Sequence, residues 1–169
     1  NVVSTQAGLE YDGAFSFTLN DCFGAGEFTG LFDQYRINAV VLKIFPDYSS
    51  LTTTDTKVTT VAQPNFHYVI DVNDANPVNI AVLAEYSNYK VTRFNRTLSV
   101  KIVPRASRAY YQSVVSTSYG PAPPRQWIDT ASPNLPHYGF KFVCDNVSLG
   151  QVVNFRIRKI YYVSLKSIK

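Results

Sequence analysis

The sequence predicts an all-β protein, two antiparallel sheets packed as a sandwich, and three observations carry that expectation. Aromatic residues make up 14% of the chain, with twelve Tyr and eleven Phe beside abundant Thr, Val and Ser. β-Branched and aromatic side chains suit a pleated, half-buried surface. Apolar residues recur at every second position in several short runs, the period of a strand with one face in a core. The connections between runs are long and polar, as in double-sheet sandwiches. With 169 residues, a single domain over 1–169 is expected, able to bury about 70% of its unfolded surface.

Residues 1–11 have no period and read as an extended arm. Phe15, Phe17 and Leu19 alternate with Ser16 and Thr18 in a first strand. Asn20 to Gly26 is a turn-forming loop whose two glycines allow positive φ. The central stretch is Leu31 to Pro46. Phe28, Leu31, Phe32 and Tyr35 fall at i, i+3, i+4 and i+7, one stripe of a short helical turn. After it Val40, Leu42 and Ile44 share a strand face, and Pro46 is expected to end the strand. Ile37 joins that face only if one extra residue intervenes, which predicts a bulge near Asn38 and Ala39. Ala39, Val41 and Phe45 make the second face largely apolar, as in a strand covered on both sides.

Asp47 to Gln63 reads as a long exposed Thr/Ser/Asp loop. Tyr68, Ile70 and Val72 form the next strand face, and Asn76-Pro77 supplies an N-cap and first-turn proline for a helix reaching about Tyr86. Strands follow at Tyr89–Phe94 and Leu98–Val103, the second with Leu98, Val100 and Ile102 inward. Pro104 to Pro124 reads as a second long connection, and Gln126–Asp129 as a short strand. Tyr138, Phe140, Phe142 and Cys144 face one way along another strand, with Lys141 opposite. The last strand runs from Val152 to about Leu165. Its Val153, Phe155, Ile157, Tyr161, Val163 and Leu165 face inward; Asn154, Arg156, Arg158, Tyr162, Ser164 and Lys166 face outward. The total is about eight strands with one or two short helical insertions.

Charge is unevenly spread. Residues 1–85 hold three Lys/Arg against ten Asp/Glu, and residues 86–169 hold thirteen against two, so the halves carry −7 and +11. A basic surface suited to a polyanion is one consequence; solvated or inter-subunit-paired charge is the other. Two basic–aromatic groups are candidates for nucleic acid. The first is Lys90, Arg93, Arg96, Arg105 and Arg108 with Tyr110 and Tyr111; the second is Arg125, Trp127, Arg156 and Arg158. Their cations would neutralise phosphates and their rings would stack on unpaired bases. Arg, Tyr and Trp are equally the residues of subunit contacts, and the sequence leaves both readings open.

Catalytic and metal chemistry find little support. His67 and His137 lie in no nucleophile motif, and phosphate-cradling or zinc-protease motifs do not occur, so the chain reads as a non-enzyme without cofactor. Both histidines are expected as hydrogen-bonded strand residues. Asp71-Val-Asn-Asp-Ala-Asn76 groups oxygen ligands but lacks the glycine and terminal acid of an EF-hand loop, so it reads as turn chemistry and no metal is expected. Cys22 and Cys144 are expected as free thiols. The sequons at Asn95 and Asn146 carry meaning only in a secreted chain. No apolar run approaches the ~18 residues of a membrane span.

Three segments in order carry a family resemblance. Asn20-Asp-Cys-Phe-Gly-Ala-Gly-Glu27 leads into Leu31-Phe-Asp-Gln-Tyr-Arg-Ile37 and the run ending in Pro46. Leu98-Ser-Val-Lys-Ile-Val-Pro-Arg105 follows, then Trp127-Ile-Asp129 with His137-Tyr-Gly-Phe-Lys-Phe142. Together they resemble the capsid proteins of circular, Rep-encoding single-stranded DNA viruses, the circovirus-like group. The resemblance implies an eight-stranded jelly roll, a fold used by viral capsid domains. It also implies many identical subunits forming a small icosahedral shell around a circular single-stranded DNA genome. The protein would then reside in the virion and, during assembly, in the host nucleus, with a host attachment receptor among its partners. Tyr35-Arg36-Ile37 would belong to the structural core. The chain opens Asn-Val-Val without a methionine, so the family's Arg-rich arm is expected upstream of Asn1. A lectin-type sandwich, with Tyr and Trp stacking on sugars, and a small RNA or satellite virus coat protein are the alternatives.

Overall fold

The computed structural model describes the backbone of residues 2–4, 10–53, 64–93, 95–113, 116–145 and 151–168. It describes the side chains of 10–46, 64–93, 95–108, 119–145 and 154–168. The strands are β1 (Val2–Ser4), β2 (Tyr11–Phe17), β3 (Phe32–Thr53), β4 (Asn65–Val69), β5 (Lys90–Arg93), β6 (Leu98–Ile102), β7 (Arg105–Ser113), β8 (Ser116–Pro121), β9 (Ile128–Asp129), β10 (His137–Cys144) and β11 (Gln151–Ile168). Helices α1 (Ala25–Leu31) and α2 (Ile80–Ala84) and a 3₁₀ turn at Leu19–Asp21 interrupt them. All pairings are antiparallel. One sheet runs β1-β11-β3-β6 with β9 also on β3; the other runs β5-β4-β10-β7-β8 with β2 also on β10. This is the predicted all-β jelly-roll sandwich, with short strands added beyond the eight expected.

The core lies between the sheets, where Phe17, Tyr35, Leu42, Phe66, Phe140 and Phe155 are fully enclosed. Val40, Leu42 and Ile44 point into it, as their alternation requires. Tyr162 pairs with Ala39 and Val163 with Ile37, so Asn38 is the extra residue of a bulge. Its side-chain amide donates to Ser164 Oγ at 2.8 Å. The bulge restores Ile37 to the core face. On β11, Phe155, Ile157, Tyr161, Val163 and Leu165 contact the core as expected. Lys159 shares their face. Its ammonium sits 5.5 Å from the ring centres of both Phe15 and Phe17 and 3.4 Å from the Asp21 carboxylate. A long amine stem covers apolar surface while its charged tip reaches an acid.

Several expectations are corrected. The stripe Phe28–Tyr35 is broken: α1 ends at Leu31, which is exposed, and Phe32 and Tyr35 belong to β3. Pro46 does not end its strand, because beyond Ile44 β6 no longer pairs with β3 and that side needs no donor. Asp47–Thr53 therefore continues β3, while 54–63 of the expected loop lies outside the described residues. Leu19 is buried from the 3₁₀ turn rather than from a strand. β4 ends at Val69, leaving Ile70 exposed. The helix cap is Asn79, whose side chain accepts the Val82 N–H at 3.0 Å, three residues after the Asn76 expected from Pro77. Residues 105–113 and 116–121 pair as strands β7 and β8 rather than reading as a loop, and 114–115 of the expected connection lie outside the described residues. A register shift at Gly139 takes Tyr138 out of phase with Phe140, Phe142 and Cys144. Residues 2–4, expected as part of an arm, pair with β11.

Candidate nucleic-acid interface

The outward face of the β11-β3-β6 sheet gathers cations by register alone. Residues opposite one another across an antiparallel pair point to the same side. Arg156 lies opposite Phe45, Arg158 opposite Lys43, Ile160 opposite Val41, Tyr162 opposite Ala39, Ser164 opposite Arg36 and Lys166 opposite Gln34. Lys101 of β6 lies opposite Val41 on the other side of β3. Arg36, Lys43, Lys101, Arg156, Arg158 and Lys166 therefore share a face that extends about 33 Å along β11, ten residues at 3.3 Å each. Four of them, Lys101, Arg156, Arg158 and Lys166, are exposed. Phe45, Ile157, Arg156 and Arg158 line a cleft of about 380 Å³ at one end. Exposed Tyr162 stands between the two ends. Two acids are in register with this face: Asp47, opposite Asn154, and Asp129, opposite Gln34, whose carboxylate accepts the Ala131 N–H at 2.8 Å.

At the other end β9 pairs with β3 at Gln34 and Tyr35, which brings Trp127 over the sheet. The Arg36 guanidinium carbon and the Lys166 ammonium each lie 4.6 Å from a Trp127 ring centre. Electron density on the ring face attracts both cations. Arg36 Nε is buried and has no hydrogen-bond partner among the described residues, so the ring supplies much of what holds that guanidinium.

The circovirus capsid protein family profile matches residues 2–169. The chain belongs to this family. Among solved structures it is similar to a 60-mer BFDV capsid protein, at TM-score 0.66 and 13% identity over 98% of this chain and 94% of that one. A decameric BFDV capsid protein gives TM-score 0.63 and 15% identity over 99% and 94%. No curated protein matches the sequence. The chain is thus a structural capsid protein and a virion component. Membership decides against the lectin-type alternative.

The predicted interface residues of this capsid protein do not form the two groups expected. Arg156 and Arg158 lie together, but Trp127 sits with Arg36 and Lys166 at the opposite end of the face, because β9 docks at the start of β3. Arg125 stands exposed in a turn at φ 58°. Lys90 and Arg93 lie on edge strand β5, and Lys90 and Arg96 line a separate cleft of about 560 Å³. Arg105 and Arg108 belong to β7, three strands along from β5 in the same sheet. The side chains of Tyr110 and Tyr111 lie outside the described residues. Missed from the groups were Arg36, Lys43, Lys101 and Lys166; their alternation with core residues on β3, β6 and β11 was the available signal.

The Asp71–Asn76 segment folds as turns and encloses a lysine. Asp71 accepts the Asn73 N–H at 2.9 Å and Asp74 the Asn76 N–H at 2.7 Å. Both also reach Lys141, whose Nζ lies 2.7 Å from Asp71 and 2.8 Å from Asp74. Burial alone would lower the Lys141 pKa, but hydrogen bonds and charge from the two carboxylates outweigh it and hold the ammonium above the usual lysine value. Tyr86 of the α2 region donates to Asp71 at 3.1 Å. The histidines behave as expected: His67 lies between Asp145 and the Tyr89 hydroxyl, at 2.7 and 2.5 Å, and His137 Nδ1 is 3.0 Å from the Leu135 carbonyl. Cys22 and Cys144 are free, and burial pushes the Cys144 thiol up to about 12. The sequon at Asn95 is exposed; that at Asn146 lies outside the described residues.

Proposed function

We propose that the whole chain acts as one jelly-roll subunit of a small icosahedral shell, and that the outward face of β11-β3-β6 lies against a single-stranded DNA genome. The observation that carries this reading is the register that sets six cations and Tyr162 on one surface. Cations there neutralise phosphates, and the exposed ring offers a stacking face for an unpaired base. β1 supports the same orientation: Val2 lies opposite Arg156, so the amino-terminal strand runs along the edge of this face. The 60-mer formed by the BFDV capsid protein supports closure into a shell. Arg93, Arg96, Arg105, Arg108 and Arg125 lie off this face and belong with contacts between subunits or at the surface. Family membership supports assembly in the host nucleus and an attachment receptor on the host.

Particles formed by the full gene product provide the test. Their extracted nucleic acid should be destroyed by DNase and spared by RNase. Combined Arg156→Glu and Arg158→Glu should lower the nucleic acid retained per particle or block assembly. Normal particles with full cargo would remove the face from the genome; RNase-sensitive cargo would favour the RNA-virus alternative.

A further inference from the structure

The shell reading leaves open how one copy grips the next, and two patches of this subunit differ in a complementary way. Phe23, between the 3₁₀ turn and α1, is 103% exposed, so its whole ring stands in solvent. Leu31 at the far end of α1 and Ile168, which lies opposite Phe32, are also exposed, at 57% and 79%. Exposed large apolar groups mark an interaction surface. The corner is acidic: Glu27 is exposed in the first turn of α1, while Asp21 is already committed to Tyr161 and Lys159.

The second cleft has the opposite character. It encloses about 560 Å³, with Tyr68, Val91 and Leu98 as apolar walls and Lys90 and Arg96 as cations. That volume is in the range of ligand-sized sites. Leu98 faces Ile44 across the sheet, whereas Asp21, two residues before Phe23, reaches Tyr161 and Lys159, which lie opposite Val40 and Leu42 of β3. Two unlike, complementary patches on one subunit give a head-to-tail contact, the kind that closes into rings when the rotation permits. An aromatic anchor in a pocket with paired charges around it is the usual form of an interface hot spot.

We infer that the Phe23 corner of one copy docks into the Tyr68–Leu98 cleft of a second copy, with Glu27 meeting Lys90 and Arg96. The contact rests on the shell reading. In the full chain, Phe23→Ala, Glu27→Arg and Arg96→Glu should each lower the yield of particles roughly tenfold or more, as loss of an interface anchor does. Sedimentation velocity and negative-stain electron microscopy at matched concentration would read that yield. The combined Glu27→Arg/Arg96→Glu chain should recover part of it, because the pair with position 96 is exchanged rather than lost while Lys90 still faces Arg at position 27. As a second measurement, in a Cys22→Ser background that keeps Phe23, Gly26→Cys on the open side of α1 with Thr97→Cys should give disulfide-linked ladders on oxidation that neither single variant gives. Wild-type shells alongside unaffected single variants, an unrecovered exchange, or the absence of ladders would overturn the contact while leaving the shell intact. A wild-type chain that stays monomeric would remove the shell reading and the contact with it.

Discussion

The Lys141 ammonium lies 2.7 Å from an Asp71 carboxylate oxygen, and each side chain is only 2% exposed. Lys141 projects from β10 away from the main core, toward the smaller cluster of Val69, Leu83 and Val143 beneath α2. Removing one partner of such a pair leaves a charge in a place water cannot reach. Lys141→Met or Asp71→Asn should therefore destabilise the subunit by roughly 3–5 kcal/mol. The combined substitution should cost much less than the two singles together, measured by urea unfolding at neutral pH.

The same cluster sets a pH response. Burial would raise the Asp74 carboxyl, but the Lys141 ammonium and the Asn76 N–H outweigh it and hold it below the usual range. A folded pKa below the unfolded one means stability that is present above about pH 4 and lost as pH falls through the folded value. Lys141 works in the opposite sense: its raised pKa gives stability present below about pH 10.4 and lost as pH rises through the folded value. Wild-type stability should thus fall at both extremes. In Lys141→Met both dependences should flatten, as followed by thermal melts across pH.

Asp21 and Tyr161 form a second acid-dependent contact at the rim of the core. The Tyr161 hydroxyl donates to Asp21 Oδ2 at 2.5 Å, and Lys159 approaches the same oxygen. Burial opposes ionisation of Asp21, yet these donors and the Thr18 N–H leave its pKa lowered. Tyr161→Phe should cost about 1.5 kcal/mol at neutral pH, the low end for a hydrogen bond to a charged group because Asp21 is partly exposed. The deficit should narrow as pH falls below about 4, where the wild-type carboxyl protonates.

Sequence period reached the core and stopped short of the charges inside it. Val40, Leu42 and Ile44, the extra residue at Asn38 and the alternation of β11 were legible because a buried strand face repeats every two residues. Lys141 and Lys159 were not. Each is a cation on a buried or half-buried face, made tolerable by an acid 70 or more positions away in sequence, so only the fold brings the pair together. The β7–β8 hairpin was hidden by its Ser, Tyr and Pro content, which reads locally as a loop. Trp127 was grouped with Arg156 and Arg158 by charge and aromaticity, but the two-residue pairing of β9 decides its neighbours.

The bulge at Asn38 is open to a direct test. Asn38→Ala keeps the extra residue and loses only the 2.8 Å bond to Ser164, so it should cost about 1 kcal/mol. Deleting Asn38 instead puts Ile37 and the Val40–Ile44 run out of phase, because a one-residue slip turns a strand face over. The deletion should give no cooperatively melting subunit, whereas Asn38→Ala should melt only a few degrees lower. Equal behaviour of the two variants would mean that β3 can redraw its register.

Charge on the outward face should appear in the salt dependence of DNA binding. Each phosphate contact on a single strand contributes about 0.7 to the slope of log affinity against log salt, so six contacts give a slope of about −4. Substituting Lys43 and Lys101 by Gln should reduce its magnitude by about 1.4 and weaken binding with little regard to base sequence. Trp127→Leu should act differently. It removes the ring against which Arg36 and Lys166 are held, 4.6 Å away on each count, without removing a charge. Affinity for a short oligothymidylate should fall while the slope stays close to wild type, as read by fluorescence anisotropy from low to moderate salt. A slope that fell as far for Trp127→Leu as for the lysine variant would mean that Arg36 and Lys166 contact phosphate only when the ring positions them.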